Sequence, residues 1–213
     1  MNKIKAKWSD PIFLEQVSPV LELFTQSNIE MSNLDLSGIE LGCSKSSVIQ
    51  LRNAYLKQSK LAKINMSYSF IDCLIFESFL CNVDFFKAKF DTCLMSKSIF
   101  KECNFKKSKL VINADDAIFE NCCFIDAKFG IITYGHEYGG RRTKFYDCDF
   151  TDAEFKNVEF RASRFYNCDF TRTRFISCDL RGAKFEGNKP TIEQYERMKI
   201  PEMIPEYNIS NRR

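Results

Sequence analysis

The sequence predicts an all-β solenoid, a chain wound as a square coil of stacked parallel strands, and three observations predict it. Large apolar residues recur at every fifth position. A small residue stands two positions before most of them. A longer period of twenty realigns whole stretches of the sequence.

The first period is clearest in Phe145, Phe150, Phe155, Phe160, Phe165, Phe170, Phe175, Leu180 and Phe185. The same spacing runs from Phe70 and Ile75 through Leu80, Phe85, Phe90, Met95, Phe100 and Phe105 to Leu110, and again through Phe119, Phe124 and Phe129. A weaker version occupies Met31, Leu36, Leu41, Leu51, Leu56, Leu61 and Met66. A helix at about 100° per residue would scatter side chains five apart, and a flat strand repeats every two. These residues must point inward from a chain that turns a corner every five residues.

The small partners are Thr143, Cys148, Ala153, Val158, Ser163, Cys168, Thr173, Cys178 and Ala183, with Cys73, Cys93, Cys103 and Cys122 in the earlier run. Their placement explains seven of the ten cysteines. No export signal opens the sequence at Met1-Asn2-Lys3-Ile4-Lys5, so a cytoplasmic setting and reduced thiols are expected. Cysteine packs there as a small apolar group. Cys122-Cys123 lacks zinc-knuckle spacing and no histidine cluster accompanies it, so no metal site is expected.

Four five-residue sides close a square, which requires the period of twenty. Phe145-Tyr146-Asp147-Cys148-Asp149-Phe150-Thr151 realigns on Phe165-Tyr166-Asn167-Cys168-Asp169-Phe170-Thr171. With Cys148-Asp149-Phe150-Thr151-Asp152 and Cys168-Asp169-Phe170-Thr171-Arg172, the sequence resembles the pentapeptide-repeat family, whose motif is a small residue, Asp or Asn, Leu or Phe, then two variable residues. The resemblance covers roughly residues 29–187. It implies a right-handed quadrilateral β-helix, here of about eight coils at about 4.8 Å each.

Such a coil needs capped ends. Residues 1–28 read as an N-terminal helical cap, with Asp10-Pro11 and Ser18-Pro19 as helix starts. Residues 188–213 read as a C-terminal helix and tail, with a capping-box pattern at Thr191–Gln194 and Ile192, Tyr195 and Met198 on one side. Between Phe129 and Phe145 the spacing breaks at a glycine-rich stretch, read as a loop at 130–142. It carries Tyr134, His136, Glu137, Tyr138, Arg141 and Arg142, candidates for contact with a partner, with a tolerated insertion as the alternative. His136 is the one histidine. Beside Glu137 it has neither pocket nor nucleophile, so no catalytic residue, no cofactor and no enzyme activity is expected.

The net charge is +3, mildly basic. Basic ladders (Lys144/Arg164/Lys184, Arg161/Arg181) interleave with acidic ones (Asp149/Asp169, Glu159/Asp179), with no contiguous basic face. Around 71–99 the outward positions turn apolar: Leu74, Phe76, Phe79, Leu94 and Ile99. The step from Met66 to Phe70 is four residues, so the choice between Phe70 and Ile71, and between Ile75 and Phe76, stays open. Either choice leaves an apolar set outside, the mark of an interface, with cover by the N-terminal helices as the alternative.

The reading is a non-catalytic protein–protein recognition scaffold with an unnamed protein partner and no membrane span. In the topoisomerase-protecting branch of the family, broken coils and C-terminal helices serve binding and dimerisation, so the resemblance implies a homodimer. It also supplies an alternative, a DNA mimic that binds and protects DNA gyrase or topoisomerase IV and confers antibiotic resistance. The interleaved basic ladders count against mimicry. Direct nucleic-acid binding is a second alternative and is not expected.

Overall fold

The computed structural model describes residues 3–42, 54–130 and 138–198. Within them the chain is a parallel β-solenoid with four sides, lettered A to D in the order the chain meets them. Side A is an eight-stranded parallel sheet, and so spans seven full turns. Its inward residues are Met31, Leu61, Leu80, Phe100, Phe119, Phe145, Phe165 and Phe185, in register from rung to rung. Side C carries Leu41, Ile71, Phe90, Leu110, Phe129, Phe155, Phe175 and Tyr195. Sides B and D join successive rungs largely through single bridges such as Asp149 to Asp169 and Glu159 to Asp179.

The two kinds of side differ because of one residue. On A and C the residue before the inward one sits in a short strand, as in Arg164–Tyr166. On side B that residue is mostly Asp or Asn, and its side chain accepts the backbone N–H two positions on. Asp35 accepts from Ser37, Asn65 from Ser67, Asp149 from Thr151 and Asp169 from Thr171, at 2.8–3.0 Å. Asn113 and Asp179 do the same on side D. The short side chain closes the turn that the chain must make there. Corners fall two residues past each inward one, with φ of 55° at Lys87, 51° at Asn167 and 54° at Arg172. Asn and Asp, which tolerate this region, hold it at Asn82, Asn121, Asp126 and Asp152.

Inside, phenylalanines stack along each side. Phe100, Phe119, Phe145, Phe165 and Phe185 have ring centroids 4.8–5.0 Å apart. Rings on adjoining sides meet edge to face, as Phe145 and Phe150 do at 5.3 Å. The small residues also donate hydrogen bonds. Ser98 Oγ reaches the Ile75 carbonyl at 2.7 Å, Thr173 Oγ1 that of Phe150 at 2.8 Å and Cys178 Sγ that of Phe155 at 3.2 Å. This explains Ser, Thr and Cys beside Ala: each satisfies a carbonyl of the preceding turn.

The open register closes in favour of Ile71 and Ile75, both buried, with Phe70 and Phe76 half-buried outside. The short step therefore lies between Ile71 and Ile75, not between Met66 and Phe70. A second short step separates Leu110 from Ala114, where pairing with the strand below shifts register.

At the N-terminal end a short helix, Lys3–Ala6, and a 3-10 turn, Lys7–Ser9, precede the helix Pro11–Leu23, which starts at Asp10, whose carboxylate accepts the Ile12 N–H at 3.0 Å. Pro19 lies inside this helix and does not begin another, because the apolar face of Val17, Val20 and Leu21 must stay continuous over the first rung. Phe24 is buried, and the Trp8 indole N–H donates to the Ser37 carbonyl at 2.8 Å. At the other end the expected helix is reduced to a 3-10 turn, Ile192–Gln194, followed by the strand Tyr195–Glu196. Tyr195 takes the next inward place on side C, 5.4 Å from Phe175, so pairing of the strand prevails over helix propensity. Ile192 is left exposed. Gln194 Nε2 donates to the Phe170 and Thr173 carbonyls, covering the end of the rung. Residues 199–213 lie outside the described residues.

Candidate recognition surface

The outward apolar residues predicted from the sequence form one patch around the corner between sides D and A. Leu74 and Leu94 are register partners on side D, 48% and 45% exposed. Across the corner Phe79, 38% exposed, stacks on Ile99, and Ile99 on Ile118. Phe76 lies between the two rows, half-buried, with Lys97 Nζ 5.6 Å above its ring. Strand alternation puts these side chains outside, one residue before or after a buried neighbour. Lys60 and Lys144 bound the row on side A. Ile118 was missed in the sequence because the break beside Ala114 hides its place in the row.

Of the predicted loop, Tyr134, His136 and Glu137 lie outside the described residues. So do residues 131–133 and 135; Tyr138 is half-buried, and Gly130 and residues 139–142 belong to the coil and not to a loop. Gly130 N–H donates to the Leu110 carbonyl, Gly139 bridges Asn113 and Glu159, and Gly140 takes an inward place between Ala114 and Phe160. A Cβ at Gly140 would lie 2.2 Å from Thr143 Oγ1 and 2.9 Å from the Ala114 carbonyl carbon. Arg141 and Arg142 are engaged within the coil. Arg142 grips Asp116 with two bonds of 2.7 Å. Arg141 Nε donates to Glu159 Oε1 at 2.6 Å.

That contact begins a ladder up side D in which Arg141, Arg161 and Arg181 alternate with the buried Glu159 and Asp179. Burial pushes the Asp179 carboxyl up, but hydrogen bonds from Arg181 and Arg161 prevail and bring it down to about 2. Similar pairs neutralise the other upper rungs: Arg172 on Asp152, and Arg174 between Glu154 and Glu196. Asp149 and Asp169 serve as turn caps.

The middle rungs differ, and here the structure corrects the expectation that no contiguous basic face exists. Lys89, Lys109 and Lys128 stand in register on side C. Lys87 and Lys107 occupy the corner beside them, with Lys106 one residue before it on side B. The sequence hides this group because its members fall at three different places in the repeat.

The eight phenylalanines and one leucine of the expected core ladder, Phe145 to Phe185, are all buried. Burial pushes the thiols of Cys103, Cys122 and Cys148 well above the usual cysteine range, and that of Cys178 up to about 12. Among the described residues no cluster of His, Cys, Asp and Glu has the grouping of a metal site. No described helix is long and apolar enough to cross a membrane. A cleft of about 400 Å3 at the D–A corner is lined by Asp116, Ile118, Arg142, Lys144, Ala162 and Arg164. It brings together cations and a carboxylate already gripped by Arg142, with no nucleophile.

Residues 141–202 match the family model described as a pentapeptide repeat region. No curated protein matches the chain. Solved structures similar to it include HetL, a pentapeptide repeat protein involved in heterocyst differentiation regulation from the cyanobacterium Nostoc. It has 15% identity and a TM-score of 0.27, over 74% of this chain and 70% of that one. Full-length QnrB1, a plasmid-mediated fluoroquinolone resistance protein, has 13% identity and a TM-score of 0.31, over 78% and 90%. Rfr23 from the cyanobacterium Cyanothece has 12% identity and a TM-score of 0.23, over 82% and 97%. The family match covers the most regular rungs, residues 141–202, and five-residue sides carried by Phe, Leu and Asp or Asn continue through the rest of the described coil, so the fold is that of a pentapeptide-repeat β-helix.

Proposed function

We propose that this protein is a non-catalytic scaffold that recognises another protein through the corner between sides D and A. The observation that carries the reading is the patch of Leu74, Leu94, Phe79 and Ile99, which holds the most exposed large apolar side chains of the described coil. Its residues are in register, so they form a continuous surface. Nothing in the fold requires them, since the positions above them in the same rows are Asn113 and Lys144. Exposed apolar surface that the fold does not need is favourable to bury against a partner.

The test is affinity capture with the protein and its Leu74→Ser/Phe79→Ser variant, with circular dichroism to confirm equal folding. The reading predicts proteins retained by the wild type and lost by the variant. Identical capture by both would contradict it. Light scattering on the same pair examines the homodimer: a dimer dissolved by the variant would make a second copy the partner.

Mimicry of DNA has weaker support. A mimic needs a continuous negative strip, whereas the outward row of side B runs Asp35, Asn65, Asp84, Asn104, Cys123, Asp149, Asp169. The carboxylates of side D are covered by arginines.

A further inference from the structure

We infer that the lysine-rich corner between sides B and C in the middle rungs is a binding surface for single-stranded nucleic acid. It is separate from the apolar patch, which lies at the opposite corner of the square.

Like charges in register repel, and on side C the upper rungs avoid this by alternating sign, whereas the middle rungs do not, as Lys144, Arg164 and Lys184 do not on side A. Higher on the same row of side C, Arg174 sits between Glu154 and Glu196. Lys89, Lys109 and Lys128 stack with no acid between them, and Lys87 and Lys107 add to them at the corner. Direct cross-strand repulsion of this kind is destabilising. Among the described residues Lys106, Lys107, Lys109 and Lys128 have no ion pair, and Lys89 is paired to Asp91. The nearest carboxylates are Asp72, Asp84, Asp91, Asp126 and Glu154, the register partner of Lys128, five against the six lysines Lys87, Lys89, Lys106, Lys107, Lys109 and Lys128.

Aromatic rings adjoin the lysines. Tyr68 and Phe86 meet edge to face at 5.5 Å, with Lys87 Nζ 5.3 and 5.2 Å from their centroids. Phe70 lies under Lys89 at 4.7 Å. All three rings are half-buried, so each keeps an accessible part. Ammonium groups tracking a backbone beside rings on which bases stack are the two elements of sequence-tolerant single-strand binding. An acidic protein would use the charges but has no need of the rings. Lysine, a point charge, suits phosphates whose geometry is not fixed.

The test is fluorescence anisotropy of a labelled oligothymidylate of about 15 nucleotides, titrated with the full chain at several salt concentrations. The inference predicts saturable binding that weakens steeply with salt. Lys106→Glu/Lys107→Glu/Lys109→Glu should weaken it at least about tenfold, and Tyr68→Ala/Phe86→Ala by about fivefold or more. Lys60→Glu/Lys144→Glu/Lys184→Glu on side A, a control of the same charge change, should leave it within about twofold, and thermal melts check that every variant is folded. Absence of saturable binding would overturn the inference. So would equal loss in the side A control, or equal competition by a polyglutamate peptide, which would mean an acidic protein surface. If the aromatic variant binds as the wild type does, the stacking element fails and with it the single-strand assignment.

Discussion

Phe150 lies between Phe124 at 5.0 Å and Phe170 at 5.5 Å and is fully buried. Phe150→Ala should therefore cost about 3–5 kcal/mol, read from urea unfolding, because close neighbours on both rungs limit collapse of the cavity. Cys148 has the opposite constraint. Its Sγ reaches the Phe119 and Tyr146 carbonyls at 3.5 and 3.4 Å, so Cys148→Leu should overpack the corner and cost about 1–3 kcal/mol. Asp179 gives a pH signature. Its folded carboxyl titrates at about 2 against an ordinary 3.8, so its contribution is fully present above the ordinary value and is lost as pH falls through about 2. Between about pH 5 and about pH 2, the urea midpoint of Asp179→Asn should fall less than that of the wild type. Equal slopes would show that the arginine contacts do not stabilise the fold.

Along each side, regularity and its failures have separate causes. Every irregular step of the described coil falls at the corner between sides C and D. Ile71 to Ile75 and Leu110 to Ala114 are each one residue short; Leu41 to Leu56 and Phe129 to Gly140 are long. Sides A, B and C keep their stacked apolar columns, while side D offers Ala114 and Gly140 where a large residue is due. Phe160 then meets Phe129 and Phe145 edge to face at 6.1 and 5.8 Å. Gly140→Ala should destabilise the coil by about 1–3 kcal/mol, because its new methyl would meet Thr143 and the Ala114 backbone. Thermal unfolding measures this; an unchanged melting temperature would mean that the corner yields. The five-residue beat made the core from Phe145 to Phe185 legible, since each inward residue repeats the last. The short step at Ile71 was not placed correctly, because two adjacent apolar residues satisfy the pattern equally well there. Asp10-Pro11 gave the start of the cap. Thr191–Gln194 has the pattern of a helix start, but an aromatic residue continuing the Phe175 column makes a strand instead.

Taken whole, the molecule divides its charge and its apolar surface by height. The upper rungs pair arginines with carboxylates on sides C and D beside the basic row Lys144, Arg164 and Lys184 on side A, and the middle rungs carry a lysine-rich corner and an apolar patch on the opposite one. The apolar patch was legible in the sequence because exposure follows from alternation once the inward row is known. The lysine corner was not, because its residues come together only when the chain is wound. A coil neutralised in this way should not act as a duplex mimic, and DNA gyrase supercoiling should be unchanged by the purified protein at about micromolar concentration. Dose-dependent inhibition, or relief of quinolone action, would contradict that expectation. The central claim, that recognition of a protein occurs at the corner between sides D and A, is tested most directly by hydrogen–deuterium exchange of the protein with and without its captured partner. The account predicts new protection in peptides that contain Leu74 to Phe79 and Leu94 to Ile99, with none at Arg164 to Tyr166 on the upper part of side A. Protection confined to the upper rungs, with the apolar rows exchanging as in the free protein, would contradict it.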